Sequence, residues 1–146
     1  MKVLVDTNVI LDVLLNRTQF VELSANIVSA VETRDIEGYL CATTVTTLDY
    51  LISKAKNRQQ AKLEIKKLLH LFGISEVNAR VLDLAADSEF TDFEDAVLYY
   101  SGECVGVDCL VTRNVKDFKQ ASLPVYTPEE LWGILLVKEK TMESTN

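Results

Sequence analysis

Asp6, Asp49, Asp95 and Asp117 are widely separated carboxylates that stand at the end of an apolar run or in the residues soon after one. In an open parallel sheet the carboxyl ends of the strands converge with helix N-termini, so acids placed there are poised to meet. Two carboxylates held 4 Å apart repel by roughly 4 kcal/mol at an effective dielectric of 20. A divalent cation offsets that repulsion, and hard oxygen donors favour Mg²⁺ or Mn²⁺ over zinc. Such an ion makes water a better nucleophile and neutralises charge developing on a phosphate, which is a route to phosphodiester hydrolysis. The chain has a single histidine, His70, which removes most routes that depend on imidazole, including histidine-rich metal sites and Ser/His/Asp triads.

Each acid also has a plainer reading. Asp6 can serve as a helix N-cap. Asp49 can complete a cap from Thr46 or answer a helix dipole, and Asp92 is explained by that same dipole field, as a first-turn acid rather than a principal ligand. Asp95 follows Asp92 by three residues, a spacing that places like charges side by side on a helix, so something must offset their repulsion. Asp117 can be a turn acid paired with Arg113 or Lys116. Its neighbour Asn114 is a polar group able to hold a water or a metal.

The elements that must position these residues follow from pattern. Val3-Leu4-Val5 reads as a strand and Asp6-Thr7-Asn8 as a turn, followed by a helix carrying Val9, Ile10, Val13 and Leu14. Helical spacing continues over residues 19–33, a strand over 38–42, a helix from Thr46 or Thr47 to Lys56, and another from Arg58 to Phe72 with Ala61, Ile65, Leu68 and Phe72 inward. Residues 73–77 predict a short edge strand, and Asn78 a cap for the helix of Val81, Leu82 and Ala85. Thr91 and Glu94 have capping-box spacing and open a helix whose Phe93, Ala96, Val97 and Tyr100 form an apolar stripe. Residues 106–112 and 124–126 predict the last strands, and Thr127-Pro128-Glu129-Glu130 opens the final helix as N-cap, N1 proline and capping glutamate. This alternation implies α/β architecture: three layers, with a mostly parallel central sheet and helices on both faces. One domain over residues 1–137 is expected, with 138–146 a polar, flexible tail.

Composition narrows the function classes. The 146 residues carry 15 basic and 22 acidic side chains, a net charge of −7, so no broad basic field attracts polyanions and any nucleic-acid binding needs a local device. Three cysteines, Cys41, Cys104 and Cys109, are an odd count without metal-site spacing. They are expected to fill the core of a protein in a reducing cytoplasm. No apolar run approaches the roughly 20 residues that span a bilayer, so no membrane role is expected.

Four motifs in order, Val3-Leu4-Val5-Asp6-Thr7-Asn8-Val9-Ile10, Thr43-Thr44-Val45-Thr46-Thr47-Leu48-Asp49-Tyr50, Asp92-Phe93-Glu94-Asp95-Ala96 and Val111-Thr112-Arg113-Asn114-Val115-Lys116-Asp117-Phe118, span nearly the whole chain. Together they resemble the successive motifs of PIN domains, in particular the VapC-type toxins of toxin–antitoxin pairs. The resemblance implies a Mg²⁺- or Mn²⁺-dependent endoribonuclease acting on RNA, often a homodimer, held inactive by a small antitoxin protein. It makes Asp6 and Asp95 metal-binding acids, and it puts Asp49 where glutamate is more common. Asn114 stands where many members have aspartate, while Asp117 matches members with the acid three residues later, so the fourth ligand stays open between them. By the same resemblance Thr7 and Asn8 orient Asp6, Thr112 supports the last motif, and Arg113 contacts phosphate. Lys54, Lys56, Arg58, Lys62, Lys66 and Lys67 form the main basic cluster, in which Arg58, Lys62 and Lys66 recur at i, i+4 and could steer RNA backbone toward the acids. A solvated helix face is the competing reading. Tyr99 and Tyr100 could stack bases, with core packing favoured at least for Tyr100.

Other classes fit less well. A phosphoryl-receiver domain, with Asp49 as acceptor and Lys116 beside it, needs an acidic pair near Asp6, and Thr7 spoils that. A dehalogenase-type phosphatase needs an acid two residues after Asp6, where this chain has Asn8. A PIN-like module that binds nucleic acid or protein with weakened chemistry is kept open by Asp49 and Asn114.

Overall fold

The computed structural model describes residues 1–145. Five parallel strands, β1 (Lys2–Val5), β2 (Glu37–Cys41), β3 (Gly73–Ser75), β4 (Cys109–Val111) and β5 (Val125–Tyr126), lie in the order β3-β2-β1-β4-β5. Seven helices connect and extend them: α1 (Thr7–Leu14), α2 (Val21–Glu32), α3 (Ala42–Ala55), α4 (Arg58–Leu71), α5 (Ala79–Ala86), α6 (Phe93–Val105) and α7 (Pro128–Thr145). A 3-10 turn, Val115–Phe118, follows β4. This is the α/β architecture expected from the strand and helix alternation.

The central strand is apolar on both faces because both are covered, as in parallel sheets generally. Val3 and Val5 join one core with Leu40, Cys109 and Val111 of neighbouring strands, and with Ile10, Ile27, Leu48, Ile52, Ala61 and Leu131 of the helices above. Leu4 points the other way, to Cys41, Leu98, Tyr99, Leu110 and Phe118. On that second face α6 runs close over β1: a Cβ placed at Gly102 would lie 2.7 Å from Leu4 Cδ2. Gly106, at φ 83°, ends α6 in the left-handed conformation that glycine adopts without strain. Between β1 and β4 the strand order reverses, and crevices at such points open beyond the strand carboxyl ends.

Three local expectations are corrected. Helix α3 begins at Ala42, directly after β2, rather than at Thr46 or Thr47. Burial of Thr44, Leu48 and Ile52 along one face outweighs the poor helix propensity of its β-branched threonines. The cap of α6 is Asp92, which accepts from the Asp95 amide at 2.9 Å, not Thr91. Phe93 is thus the first helical residue and 54% exposed instead of packed. Finally, residues 138–145 continue α7 instead of forming a tail, since their Lys- and Glu-rich sequence contains no helix breaker; residue 146 lies outside the described residues. The Thr127–Glu130 capping box forms as the sequence predicts, with both reciprocal bonds at 3.1 Å. Cys41 and Cys109 are buried, whereas Cys104 is exposed.

Candidate active site

Parallel register sets the base of the site. Val5 pairs with Val111, so the next residues, Asp6 and Thr112, stand side by side at the carboxyl ends of β1 and β4. The Asp6 amide donates to the Val111 carbonyl at 3.0 Å. Asp6 is only 7% exposed and caps α1, its Oδ1 accepting from the Thr7 amide at 2.7 Å. The other carboxylate oxygen accepts from Thr112 Oγ1 at 2.7 Å and Asn8 Nδ2 at 3.1 Å. Asn8 in turn accepts from the Arg113 amide, and Thr112 Oγ1 accepts from the Asn114 amide at 3.0 Å. Thr7 Oγ1 donates to Thr44 Oγ1 of α3. The capping reading of Asp6 is therefore correct but incomplete, because one carboxylate oxygen has a second hydrogen-bond network.

Asp6, Thr7, Asn8, Asp92, Glu94, Asp95, Asn114 and Asp117 line one hollow of about 270 Å³. Burial pushes the Asp6 carboxyl up from its ordinary value; the bonds from Thr112, Thr7 and Asn8 pull against this, and Asp117 adds to the rise. Asp95 is pushed up to about 7, first by partial burial and then by the charges of Asp92, Asp6, Asp117 and Glu94. The acids are thus close enough to repel one another. They are not a ready-made cage, since among the described residues no three His, Cys, Asp or Glu side chains gather tightly enough to hold an ion.

A divalent cation nevertheless suits this hollow. Its charged and amide side chains, among them Asp6, Asp95, Asp117 and Asn114, offer oxygen as ligand atoms, and the charges of Asp92, Asp6, Asp117 and Glu94, which raise Asp95 beyond the effect of burial, give the hollow a negative charge that a cation offsets. Mg²⁺ uses one or two carboxylates and keeps several waters, so it does not require a tight cage.

The remaining candidates separate. Asp49 is exposed, two turns into α3, and lines neither this hollow nor the adjoining one beside Lys116. That position also removes the strand-end acceptor that a phosphoryl-receiver reading requires. Arg58, Lys62 and Lys66 lie on the exposed face of α4, outside both hollows. Tyr99 is buried, its hydroxyl accepting from the amides of Ser122 and Leu123, and Tyr100 packs edge-on against it. A larger hollow of about 620 Å³, lined by Met1, Glu37, Gly73 and His70 among others, opens at the amino ends of the strands and contains none of these acids.

One participant had not been singled out from the sequence. Asp12 of α1 is fully buried, with Arg113 Nε 2.7 Å and Arg17 Nη1 3.6 Å from its carboxylate and Ser24 Oγ donating at 3.1 Å. The Arg113 guanidinium also lies 4.0 Å above the Phe20 ring. Arg113 is held inward, away from the role of an open phosphate contact. The available signal was an acid among Val9, Ile10, Leu11 and Leu14, where an apolar stripe leaves it no water.

Comparison with known proteins agrees with this geometry. The chain is 28% identical over 142 residues to Ribonuclease VapC1 of Aquifex aeolicus (strain VF5), covering 92% of this chain and 97% of the relative. The VapBC2 structure from Rickettsia felis, bound to a DNA fragment from its promoter, superposes with a TM-score of 0.65 at 16% identity, over 86% of this chain and 97% of that one. FitAcB from Neisseria gonorrhoeae gives 0.67 at 22% identity, over 86% and 97%. A family model described as PIN domain matches residues 2–116, which include β1 with Asp6, α6 with Asp95 and the Thr112–Asn114 turn. With the strand order, the buried strand-end acid and this match in agreement, the chain belongs to the PIN domain family.

Proposed function

We propose that the protein is a Mg²⁺- or Mn²⁺-dependent endoribonuclease and the toxin of a toxin–antitoxin pair. The observation that carries this reading is the meeting of Asp6, Asp95 and Asp117 in one hollow at the β1–β4 crevice, where burial first, and then neighbouring carboxylate charge, raises the proton affinity of Asp6 and Asp95. The similarity to Ribonuclease VapC1 supports RNA as the substrate, and the VapBC and FitAB neighbours support a small antitoxin partner. A homodimer is proposed by analogy with the family. Among the described residues, no helix is long and apolar enough to cross a membrane.

Asp6, Asp95 and Asp117 would hold the ion, with Asn114 offering its side-chain oxygen. When bound, the ion supplies Lewis acidity toward water and phosphate oxygens. Asp6 supplies a carboxylate whose orientation is fixed by Thr112, Asn8 and the Thr7 amide. With its carboxyl pushed up to about 7, Asp95 is partly ionised at neutral pH, and in that carboxylate form it would either hold the cation or accept the proton of an attacking water. Asp49 takes no part in this arrangement as it stands, and its assignment as catalytic rests on the motif alone.

The test is cleavage of single-stranded RNA by purified protein with Mg²⁺ or Mn²⁺ and with EDTA. Asp6→Asn and Asp95→Asn should abolish cleavage with the circular-dichroism spectrum unchanged. Metal-independent cleavage, or activity that survives both substitutions, would defeat the reading; RNA binding without cleavage would favour the weakened binding module.

A further inference from the structure

Beside the acid hollow lies a second one of about 420 Å³, lined by Thr91, Asp92, Asp95, Lys116, Asp117, Lys119 and Gln120. Asp92, Asp95 and Asp117 line both. The two form one trough whose charge changes along its length, from Asp6 and Glu94 at one end to Lys116 and Lys119 at the other. The lysines belong to the segment that carries Asp117, and Phe118 between them is 3% exposed and fixed in the core. The backbone positions from which they reach toward the acids are therefore set by the fold. Among the described residues neither lysine is engaged in an ion pair. A chain of net charge −7 needs local cations to draw in a polyanion, and these two line the hollow that shares Asp92, Asp95 and Asp117 with the acid site.

We propose that Lys116 and Lys119 form a subsite for the phosphodiester backbone of single-stranded RNA next to the cleaved bond, with Thr91 and Gln120 as neutral groups for ribose hydroxyls. The α4 face carrying Arg58, Lys62 and Lys66 is then a solvated surface. The inference rests on the ribonuclease reading and adds where the substrate lies.

The experiment measures binding of a fluorescently labelled single-stranded RNA across a salt series, with Mg²⁺ present and Asp95→Asn as the common background so that the RNA stays intact. Each phosphate contact contributes about 0.7 to the log–log salt slope for single strands. Lys116→Gln/Lys119→Gln should make the slope shallower by about 1.4 and weaken binding several-fold at low salt. Lys116→Arg/Lys119→Arg should keep the slope, and Arg58→Gln/Lys62→Gln/Lys66→Gln should leave it unchanged. An unchanged slope in the double glutamine variant, or a loss confined to the α4 variant, overturns the subsite. If wild-type protein cleaves RNA in the same preparation, that failure belongs to the subsite alone; if it neither binds nor cleaves RNA, the ribonuclease reading falls with it.

Discussion

Arg113 Nε stands 2.7 Å from the carboxylate of Asp12, a side chain with no exposure. The pair joins the turn after β4 to the inner face of α1, and the same turn presents Thr112 to Asp6 and Asn114 to the hollow. Because Ser24 also donates to Asp12 and Phe20 lies under the guanidinium, α2 is tied in as well. The site's two halves, one on each central strand, are thus held in register by a buried ion pair behind them.

Removing one partner of a buried pair leaves an uncompensated charge and typically costs about 3–5 kcal/mol. Arg113→Met should therefore lower stability in urea denaturation by about 3 kcal/mol, the lower end because Arg113 is 22% exposed and Arg17 remains near Asp12. The salt slope for RNA binding should stay where it is. Unchanged stability together with a shallower slope would return Arg113 to the phosphate-contacting role that its motif implies.

Thr112 acts on Asp6 through one short bond. Burial raises the Asp6 carboxyl, and the Thr112 hydroxyl is the strongest influence pulling it back. Thr112→Val deletes that donor, so the carboxylate form becomes harder to reach and the acidic limb of the pH–rate profile should move to higher pH. Loss of a partner that orients a ligand commonly weakens metal binding about 10–100-fold, which a Mn²⁺ titration would read. A profile that keeps its acidic limb in Thr112→Val would show that Asp6 ionisation does not govern the rate.

Much of this site was legible because its signals are local. Asp6 follows an unbroken apolar strand, and the capping box of α7 is written in four consecutive residues. The place of Asp49 was less legible: Thr43, Thr44, Val45, Thr46 and Thr47 are poor helix formers, yet packing of Leu48 and Ile52 draws the start of the helix back to Ala42 and leaves Asp49 exposed two turns in. Asp12 and Arg113 are about a hundred positions apart, and only the parallel pairing of β1 with β4 brings them together. By charge alone the α4 cluster can be either a nucleic-acid face or solvated surface; which lysines stand beside the acids is a matter of tertiary position.

Asp92 combines two opposed effects that substitution can separate. Its side chain caps α6 by accepting from the Asp95 amide, while its charge is the second-largest influence raising the Asp95 carboxyl. Asn caps about as well as Asp, so Asp92→Asn should keep the helix and lower the Asp95 pKa, whereas Asp92→Ala should also cost about 1 kcal/mol. Carboxyl carbon shifts followed by NMR titration report the first effect and urea denaturation the second. If Asp95 titrates identically in wild type and Asp92→Asn, the two acids are not coupled as their positions imply.

The raised Asp95 carboxyl also fixes a sign for stability. Its value moves from 3.8 to about 7 in the folded protein, so the native state holds a proton that the unfolded chain releases. Without divalent ions the associated stability is fully present below about pH 4 and is lost as pH rises through 7. Over the range from pH 5 to 8, where acid denaturation of other groups does not interfere, Tm measured in EDTA should therefore fall more for wild type than for Asp95→Asn, which has no proton to lose. At pH 8 the neutral variant should melt higher by a few degrees, each kcal/mol being worth about 2–8 °C in domains of this general size. Millimolar Mg²⁺ or Mn²⁺ should reverse the order by stabilising wild type and leaving Asp95→Asn nearly unchanged, since a ligand that binds only the native state raises its stability by mass action. Equal pH dependence in the two proteins, or equal stabilisation by the ion, would mean that Asp95 neither carries the strained charge nor receives the cation.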